Sequence, residues 1–197
     1  QLSYFVGINY TSVTLQFNSP TGLLSVWLRV DALPAPGQFI ALFSTMNNLT
    51  RIINIYYDSN GRMGAIFTGF NGVTTATFTQ TTGGLPADGE YHHLMFAWDT
   101  QTGTAQAVID RDVETVTRTG STGFDVGISM TNGNGSAFPT AWASLSSQSS
   151  VSAVGQSLTG DAAELWVSLY ETLDLSVSAN IDKFEIDGHP ADLGTDG

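Results

Sequence analysis

The chain has 197 residues, no cysteine, and six Lys or Arg residues against eighteen Asp or Glu residues, giving a net charge of −12. This charge repels phosphate backbones and anionic lipid surfaces, so we expect no nucleic-acid partner and no insertion into a membrane. The lack of cysteine excludes disulfide frameworks, thiolate zinc sites and cysteine nucleophiles, and no apolar run approaches the roughly 20 residues of a membrane span.

Strands separated by turn residues are predicted along the first half of the chain. The alternation in 24–30 places Leu24 and Val26 on one face and Ser25 and Trp27 on the other. Further strands are predicted over 38–45, 51–58, 62–68 and 73–80. Asn60-Gly61 predicts a type I′ hairpin turn, since this pair readily adopts positive φ.

Residues 91–99 (YHHLMFAWD) are apolar on both faces, which predicts a central strand covered on both sides. Strands follow over 104–110, 113–118, 164–170 and 183–186. The Gly-, Ser-, Thr- and Asn-rich stretch 119–160 predicts long loops, with weak strands near 125–130 and 151–155. The whole pattern predicts an all-β, two-sheet antiparallel sandwich with under about a tenth of its residues in helices.

A single domain over residues 1–197 is predicted, because sandwiches of roughly 200 residues commonly form one unit and the sequence shows no linker or repeat. The first ten residues lack the basic and apolar regions of a signal peptide. We expect the sequence to be a fragment of a longer chain.

The segment YHHLMFAWDTQTGTAQAVIDRDVET, with LLSVWLRVD and YYDSNGRMGAIF upstream, resembles the concanavalin A-like lectin/glucanase superfamily. The similarity is to its laminin-G/pentraxin-like branch, and it implies a jelly-roll fold. That branch ends the strand after the His-His strand with Asp-Gly. Here the pair is Asp110-Arg111, so we expect a different turn.

Residues 158–197 resemble the end of jelly-roll domains in tailed-bacteriophage virion proteins. The shared residues are Gly160-Asp161, Glu164, Trp166, Leu173-Asp174-Leu175, Asn180, Lys183-Phe184 and the segment 188–194 (GHPADLG). The resemblance implies a virion protein, displayed on the particle exterior as a head decoration, fibre or tail-associated module. Its partners would be other virion proteins or further copies of itself.

Glycan binding requires exposed aromatic rings beside planar polar side chains, since sugars present both apolar C–H faces and hydroxyls. Trp142, Asn132 and Asn134 lie in the loop-rich stretch and are the candidate glycan-binding residues. A loop aromatic also packs beneath its own loop in many proteins, and this alternative stays open. Trp27, Trp98 and Trp166 lie in strands and are predicted to be core residues.

Calcium is a possible cofactor, because turn carboxylates are the hard oxygen ligands that this ion prefers. Asp58, Asp99 and Asp125 are the candidate ligands, and Asn60 and Asp161 also lie in or beside predicted turns. Asp and Asn residues at turns commonly cap backbone N–H groups instead.

Glycosidases of this superfamily carry carboxylates that alternate on one strand. The nearest match is Glu185-Ile186-Asp187, which lacks a third carboxylate and ends at Gly188. Asp110, Asp112 and Glu114 also alternate, but they fall at a predicted turn and are expected to be solvated. No catalytic residue is therefore assigned, and we expect the protein not to be an enzyme.

His92 and His93 are neighbours on one strand and point to opposite faces, so they cannot bind one metal ion together. We expect one of them to be packed with its ring nitrogens hydrogen-bonded.

The sequence thus favours a virion display protein that serves assembly and adhesion to surface glycans. Two alternatives stay open: a polysaccharide-active enzyme such as a glucanase or lyase, and a secreted laminin-G-type adhesion module. A properly spaced carboxylate strand would favour the first, and a signal peptide in the full gene would favour the second.

Overall fold

The computed structural model describes residues 16–47, 50–69, 73–129, 141–142 and 158–191. The strands are β1 (Gln16–Ser19), β2 (Thr21–Ala32), β3 (Phe39–Asn47), β4 (Thr50–Asp58), β5 (Met63–Thr68), β6 (Thr75–Gln80), β7 (Tyr91–Asp99), β8 (Thr104–Ile109), β9 (Asp112–Glu114), β10 (Val116–Gly120), β11 (Val126–Ser129), β12 (Ala141–Trp142), β13 (Thr159–Ser168), β14 (Glu185–Ile186) and β15 (His189–Pro190). Over these ranges the helical content is one four-residue helix, α1 (Ser178–Ile181). No described helix is long and apolar enough to span a membrane.

Two antiparallel sheets form the sandwich. One has the order β10-β6-β5-β4-β3-β12 and the other the order β13-β2-β7-β8-β9. Buried residues of both sheets form one apolar cluster between them. The predicted all-β, two-sheet jelly-roll sandwich is therefore confirmed. The position of β7 between β2 and β8 confirms the prediction of a central strand.

The main core lies between the sheets. The residues of β2 and β7 that it contains are on the faces that the alternation predicts to be buried. Trp98 is 2% exposed, and its ring lies 5.0 Å from that of Phe67 in the opposite sheet. The Trp98 ring also lies over Gly22, where a Cβ atom would come within 2.1 Å of it. The predicted core position of Trp98 is confirmed.

A second layer covers the outer face of the five-stranded sheet. We call it the C-terminal strap and define it as residues 173–191. Its buried apolar residues pack against those of the sheet in one cluster: Leu175, Ile181 and Phe184 from the strap, and Leu23, Met95, Ala97 and Val108 from the sheet. Trp27 is buried on this side of the sheet, whereas Trp166, predicted to be a core residue, is only half-buried against Phe184. It is half-buried because β13 is the edge strand of this sheet.

The turn between β8 and β9 corrects one expectation. Asp110 and Arg111 have φ values of 49° and 73°, so this non-glycine pair adopts the left-handed conformation that Asp-Gly favours in two-residue turns. The expected change of turn is wrong. The Arg111 side chain forms ion pairs with Asp182 and Glu185 of the strap.

The stretch 119–160, predicted as loops with weak strands, also contains regular structure. β11 coincides with the weak strand predicted near 125–130, and β13 begins at Thr159 instead of Glu164. A bulge between Ala163 and Trp166, with Glu164 at φ 47°, shifts the alternation there and hides the strand's first half from a period-two pattern. The strand predicted near 151–155 lies outside the described residues.

Candidate functional site

Asp58, predicted as a calcium ligand, caps a turn. Its Oδ1 atom accepts the backbone N–H groups of Asn60 (2.7 Å) and Arg62 (3.1 Å), and its carbonyl accepts that of Gly61. Asp58 pairs with Phe39 at the start of β3, whereas Asp99 pairs with Thr21 at the start of β2. Because β2 runs toward the loop that precedes β3, these carboxylates lie at opposite ends of the sandwich.

Asp99 and Asp125 lie at one end of the sandwich and share a neighbour. The Asp99 carboxylate accepts the backbone N–H groups of Gln101 (2.8 Å) and Thr102 (3.2 Å), while Asp125 accepts the Gln101 side-chain amide at 2.9 Å. Among the residues that the structure describes, no three His, Asp or Glu side chains are placed to hold a metal ion. The three predicted ligands are thus not brought together, and the first two act as turn caps.

The predicted glycan-binding residues fall in the least described part of the chain. Asn132 and Asn134 lie outside the described residues. Trp142 belongs to the short strand β12, whose backbone pairs with Phe43 at the edge of the six-stranded sheet. Trp142 is therefore in a strand and not in the predicted loop, and its contact with a glycan stays a prediction.

The carboxylates considered for glycoside hydrolysis have other partners in the structure. Glu185 is 5% exposed and its Oε2 lies 3.1 Å from Nδ1 of His93. Asp187, at φ 53°, forms the two-residue turn between β14 and β15 together with Gly188. One carboxylate is thus buried in an ion-pair network, while the other lies in an exposed turn.

The second alternating set lies in and after the β8–β9 turn: Asp110 is in the turn, and Asp112 and Glu114 belong to β9. Asp110 contacts His92, and Glu114 accepts the hydroxyl of Thr82 at 2.6 Å. All three belong to the exposed edge of the five-stranded sheet.

The outer face of the six-stranded sheet brings together residues of the kind that bind sugars. Inward residues of β4, β5 and β6 belong to the main core, so their neighbours point outward. Strand register aligns these outward positions in two rows across the sheet. One row is Tyr56, Gly64, Thr79 and Thr117. The other is Asn54, Ile66, Thr77 and Thr119.

Tyr56 is the centre of this face. Because Gly64 lies opposite it, the Tyr56 ring can lie close to the sheet, and a Cβ atom on Gly64 would come within 2.5 Å of its Cζ. The Phe39 ring lies beside it, with 4.6 Å between centroids and 39° between planes. Both residues are half-buried. Burial, followed by repulsion from Asp58, raises the pKa of the Tyr56 hydroxyl, which therefore stays protonated and can donate a hydrogen bond.

Asn54 is the buried polar residue of the second row. It is 1% exposed, and within the described ranges neither amide atom has a hydrogen-bond partner. An unsatisfied buried amide costs about 1–3 kcal/mol. The burial of Asn54 keeps its amide out of reach of a ligand on this face. We define the open face as the two rows together with Phe39.

Sequence reasoning missed Tyr56 and Phe39. The sequence pattern contained no correct signal for the register of the β4–β5 hairpin. The predicted type I′ turn at Asn60-Gly61 would have placed Tyr57 opposite Gly64. That turn type is wrong, because Asn60 does not adopt a positive φ, and the loop closes between Asp58 and Arg62, so Tyr56 lies opposite Gly64. A tyrosine facing a glycine across a half-exposed sheet has room for its ring to lie flat. A search by residue type favours the tryptophans instead, because they are the larger aromatic residues.

No family model and no curated protein matches the chain. Among solved structures, it is similar to domains LG4-5 of the mouse laminin α1 chain, with 14% identity, a TM-score of 0.47 and coverage of 83% of this chain and 38% of that one. A Trypanosoma rangeli sialidase is similar at 11% identity and TM-score 0.42, over 79% of this chain and 21% of that one. A heptameric SAP-like pentraxin from Limulus polyphemus is similar at 14% identity and TM-score 0.41, over 81% and 70%.

The chain thus spans well under half of the laminin and sialidase chains. The three likenesses concern the jelly-roll type of fold alone. They include a laminin G-domain pair and a pentraxin, the branch that the His-His strand resembles, and none is a bacteriophage protein.

Proposed function

We propose that this protein is a non-catalytic adhesion module that binds neutral glycans on its open face. One observation carries the proposal: the Tyr56 ring lies over Gly64, beside Phe39 and next to a row of threonine hydroxyls. A half-exposed aromatic surface can stack on the apolar face of a sugar ring, while neighbouring hydroxyls bond to the sugar hydroxyls.

The charge of the protein selects among glycans. A net charge of −12 repels sialylated and uronic-acid-rich chains. The outward side chains of the open face are uncharged, with Asp58 and Arg62 at one end of the β4–β5 hairpin. Neutral hexose or N-acetylhexosamine chains therefore suit this surface best.

The affinity of one open face is expected to be weak. A flat sheet surface buries little of a sugar, so we expect a dissociation constant of roughly high micromolar to millimolar. Linking several copies on one scaffold raises the apparent affinity by about two to four orders of magnitude without new contacts. Display in many copies would therefore convert weak contacts into firm adhesion.

A virion exterior is one scaffold that supplies many copies. The similarity of residues 158–197 to the end of phage virion domains supports this placement, and it implies docking to other virion proteins or to further copies of the chain. An antibody against the domain should decorate the outside of intact particles. Its absence from purified particles would contradict the placement while leaving glycan binding untouched.

Glycan binding is tested with a multimerised full-length chain on a glycan array. Tyr56→Ala should lower binding at least about tenfold, since it removes the stacking surface, whereas Tyr56→Phe should keep most of it. Tyr91→Ala is the matched control, because Tyr91 is 46% exposed and lies in the other sheet. Equal binding by Tyr56→Ala and the unmodified protein would contradict the proposal.

The enzyme alternative has its own test. Incubation with laminarin or mixed-linkage glucan should release no reducing ends. Release that Glu185→Gln or Asp187→Asn abolishes would make the protein a glycosidase.

A further inference from the structure

The C-terminal strap is joined to the five-stranded sheet by two kinds of contact. Leu175, Ile181 and Phe184 fill the apolar cluster on the sheet's outer face. Directly after Phe184, the strap places one carboxylate, Glu185, inside a buried polar network. Apolar contacts are insensitive to pH. The strap also contacts β8 through Asp174, which accepts the Gln106 amide at 2.9 Å, but the hydrogen bonds to Ser176 and Gln106 lower the pKa of this carboxyl, so it stays ionised at pH 5.5. A response between neutral pH and pH 5.5 is therefore sought in the buried network.

His93 is the centre of the network. It is fully buried, and its Nε2 lies 2.8 Å from the Ser25 hydroxyl while its Nδ1 lies 3.1 Å from Glu185 Oε2. Trp27 stacks on the imidazole at 4.8 Å between centroids and 6° between planes. A neutral imidazole satisfies every contact: Nδ1–H donates to Glu185, and Nε2 accepts the Ser25 hydroxyl.

Arg111 closes the network on the far side of Glu185. Its guanidinium lies 3.4 Å from Glu185 Oε1 and also pairs with Asp182 of the strap. The positive φ of Arg111 costs free energy in a non-glycine residue. The Arg111 guanidinium links the β8–β9 turn to two carboxylates of the strap.

We propose that the strap is a cover that acid releases from the sheet, with His93 as the proton-sensitive residue. With the strap in place, His93 is sealed from water between a strand of the sheet and Glu185. With the strap lifted, Glu185 leaves and the imidazole becomes hydrated. Lifting would also expose the apolar outer face that Leu23, Met95 and Val108 form.

The charged groups around His93 come from two elements. Glu185 belongs to the strap, and Asp110 and Arg111 belong to the β8–β9 turn. The β2 residues in contact, Ser25 and Trp27, carry no charge. Burial, the largest cause, lowers the pKa of His93, and Arg111 acts in the same direction, while Glu185 and Asp110 oppose them.

The sign of the pH effect follows from this lowered pKa. The covered state disfavours the imidazolium, whereas the lifted state leaves His93 near its ordinary pKa of about 6.5. Lifting therefore takes up a proton when the pH falls below that value. Because one proton is involved, the lifting equilibrium rises by at most about tenfold per pH unit.

The absence of cysteine permits a direct test in the full chain. Val108→Cys places a thiol beneath the strap, and Val30→Cys places one in the main core; both valines are fully buried. Thiol labelling is measured at pH 7.5 and pH 5.5 with a disulfide reagent active in acid, and each rate is divided by that of an unstructured thiol peptide. The corrected rate of the Val108→Cys chain should rise several-fold at pH 5.5, and that of the Val30→Cys chain should stay constant.

Two variants identify the residue. His93→Gln in the Val108→Cys chain should abolish the acid response, while His92→Gln should preserve it, because the ring of His92 contacts Asp88 and Asp110 and not the strap. The proposal is overturned by an unchanged labelling rate in Val108→Cys, by equal acceleration in Val30→Cys, or by loss of the response in His92→Gln. The labelling rates of the Val108→Cys, Val30→Cys and His92→Gln chains test the proposal even if His93→Gln fails to fold.

Discussion

The two outer faces of the sandwich are opposites. The outer face of the five-stranded sheet is closed: the strap covers its apolar residues and supplies a partner to His93. The six-stranded sheet carries the open face, where Tyr56 and Phe39 are half-buried and Thr79 is exposed. A face whose groups are already satisfied by its own chain has little to offer a ligand. The open face instead keeps half-exposed rings and threonine hydroxyls that its own chain does not cover fully, and these are the groups that we propose a glycan contacts.

The largest expected effect separates the core from both outer faces. Trp98→Ala should lower the free energy of unfolding by about 3–5 kcal/mol, because it leaves a cavity between the sheets. Trp166→Ala should cost only about 1–2 kcal/mol, since that side chain is half-buried at an edge strand. Urea denaturation followed by far-ultraviolet circular dichroism measures both. Equal costs would mean that Trp166 supports the main core.

The positions of the tryptophans show what period-two patterning can predict about burial and what it cannot. It predicts which face of β2 and β7 is buried, because alternation is local and both strands are regular. It cannot tell the core between the sheets from the layer under the strap, since both sides of β7 are apolar. The pattern therefore assigns Trp27 and Trp166 to the same core as Trp98, although both face the strap side.

The sites were harder to predict than the fold because they depend on contacts between distant segments. Ser25, His93 and Glu185 meet across separations of 68 and 92 residues. No spacing within one segment encodes such a meeting. The turn carboxylates Asp58 and Asp99, in contrast, act locally, and their alternative interpretation as turn caps was already visible in the sequence.

The closed face should be sensitive to loss of its buried carboxylate. Glu185→Ala leaves the Nδ1–H group of His93 without its acceptor and removes one of the two partners of Arg111. Because His93 is neutral, the loss leaves a buried donor unpaired and should cost about 1–3 kcal/mol. Denaturation measures the loss, and Asp187→Ala, two residues along in an exposed turn, is the matched control. If Glu185→Ala left the free energy of unfolding unchanged, the strap would be held by its apolar residues alone.

The open face should be sensitive to a single methyl group. Gly64→Ala places a Cβ atom against the Tyr56 ring, which must tilt away from the sheet. Because the ring can move, the stability cost should be only about 1 kcal/mol. Glycan binding should nevertheless fall, since the stacking surface is displaced. Calorimetric unfolding together with the glycan array measures the two effects, and unchanged binding with a displaced ring would place the sugar elsewhere.

The smallest effect distinguishes the two adjacent histidines. His92 lies between Asp88 and Asp110, with 12% of its side chain exposed. Burial opposes its protonation, but the hydrogen bonds to Asp110 and Asp88 outweigh this cost and raise its pKa. Its stabilising contribution is therefore fully present below the unfolded pKa of about 6.5, and it is lost as the pH rises through the raised value. The lowered pKa of His93 has the opposite sign, so its contribution is lost as the pH falls.

His92→Gln should accordingly cost about 0.2–1 kcal/mol at pH 5.5, because its carboxylate partners are half-exposed, and less at pH 8.5. His93→Gln should show the reverse trend, with its larger cost at pH 8.5, where the native imidazole is neutral and fully bonded. Urea denaturation of both variants at the two pH values measures the trends. Parallel trends would mean that the two rings titrate as one unit. Opposite trends would establish that burial beneath the strap, and not position in the sequence, sets the charge of each histidine.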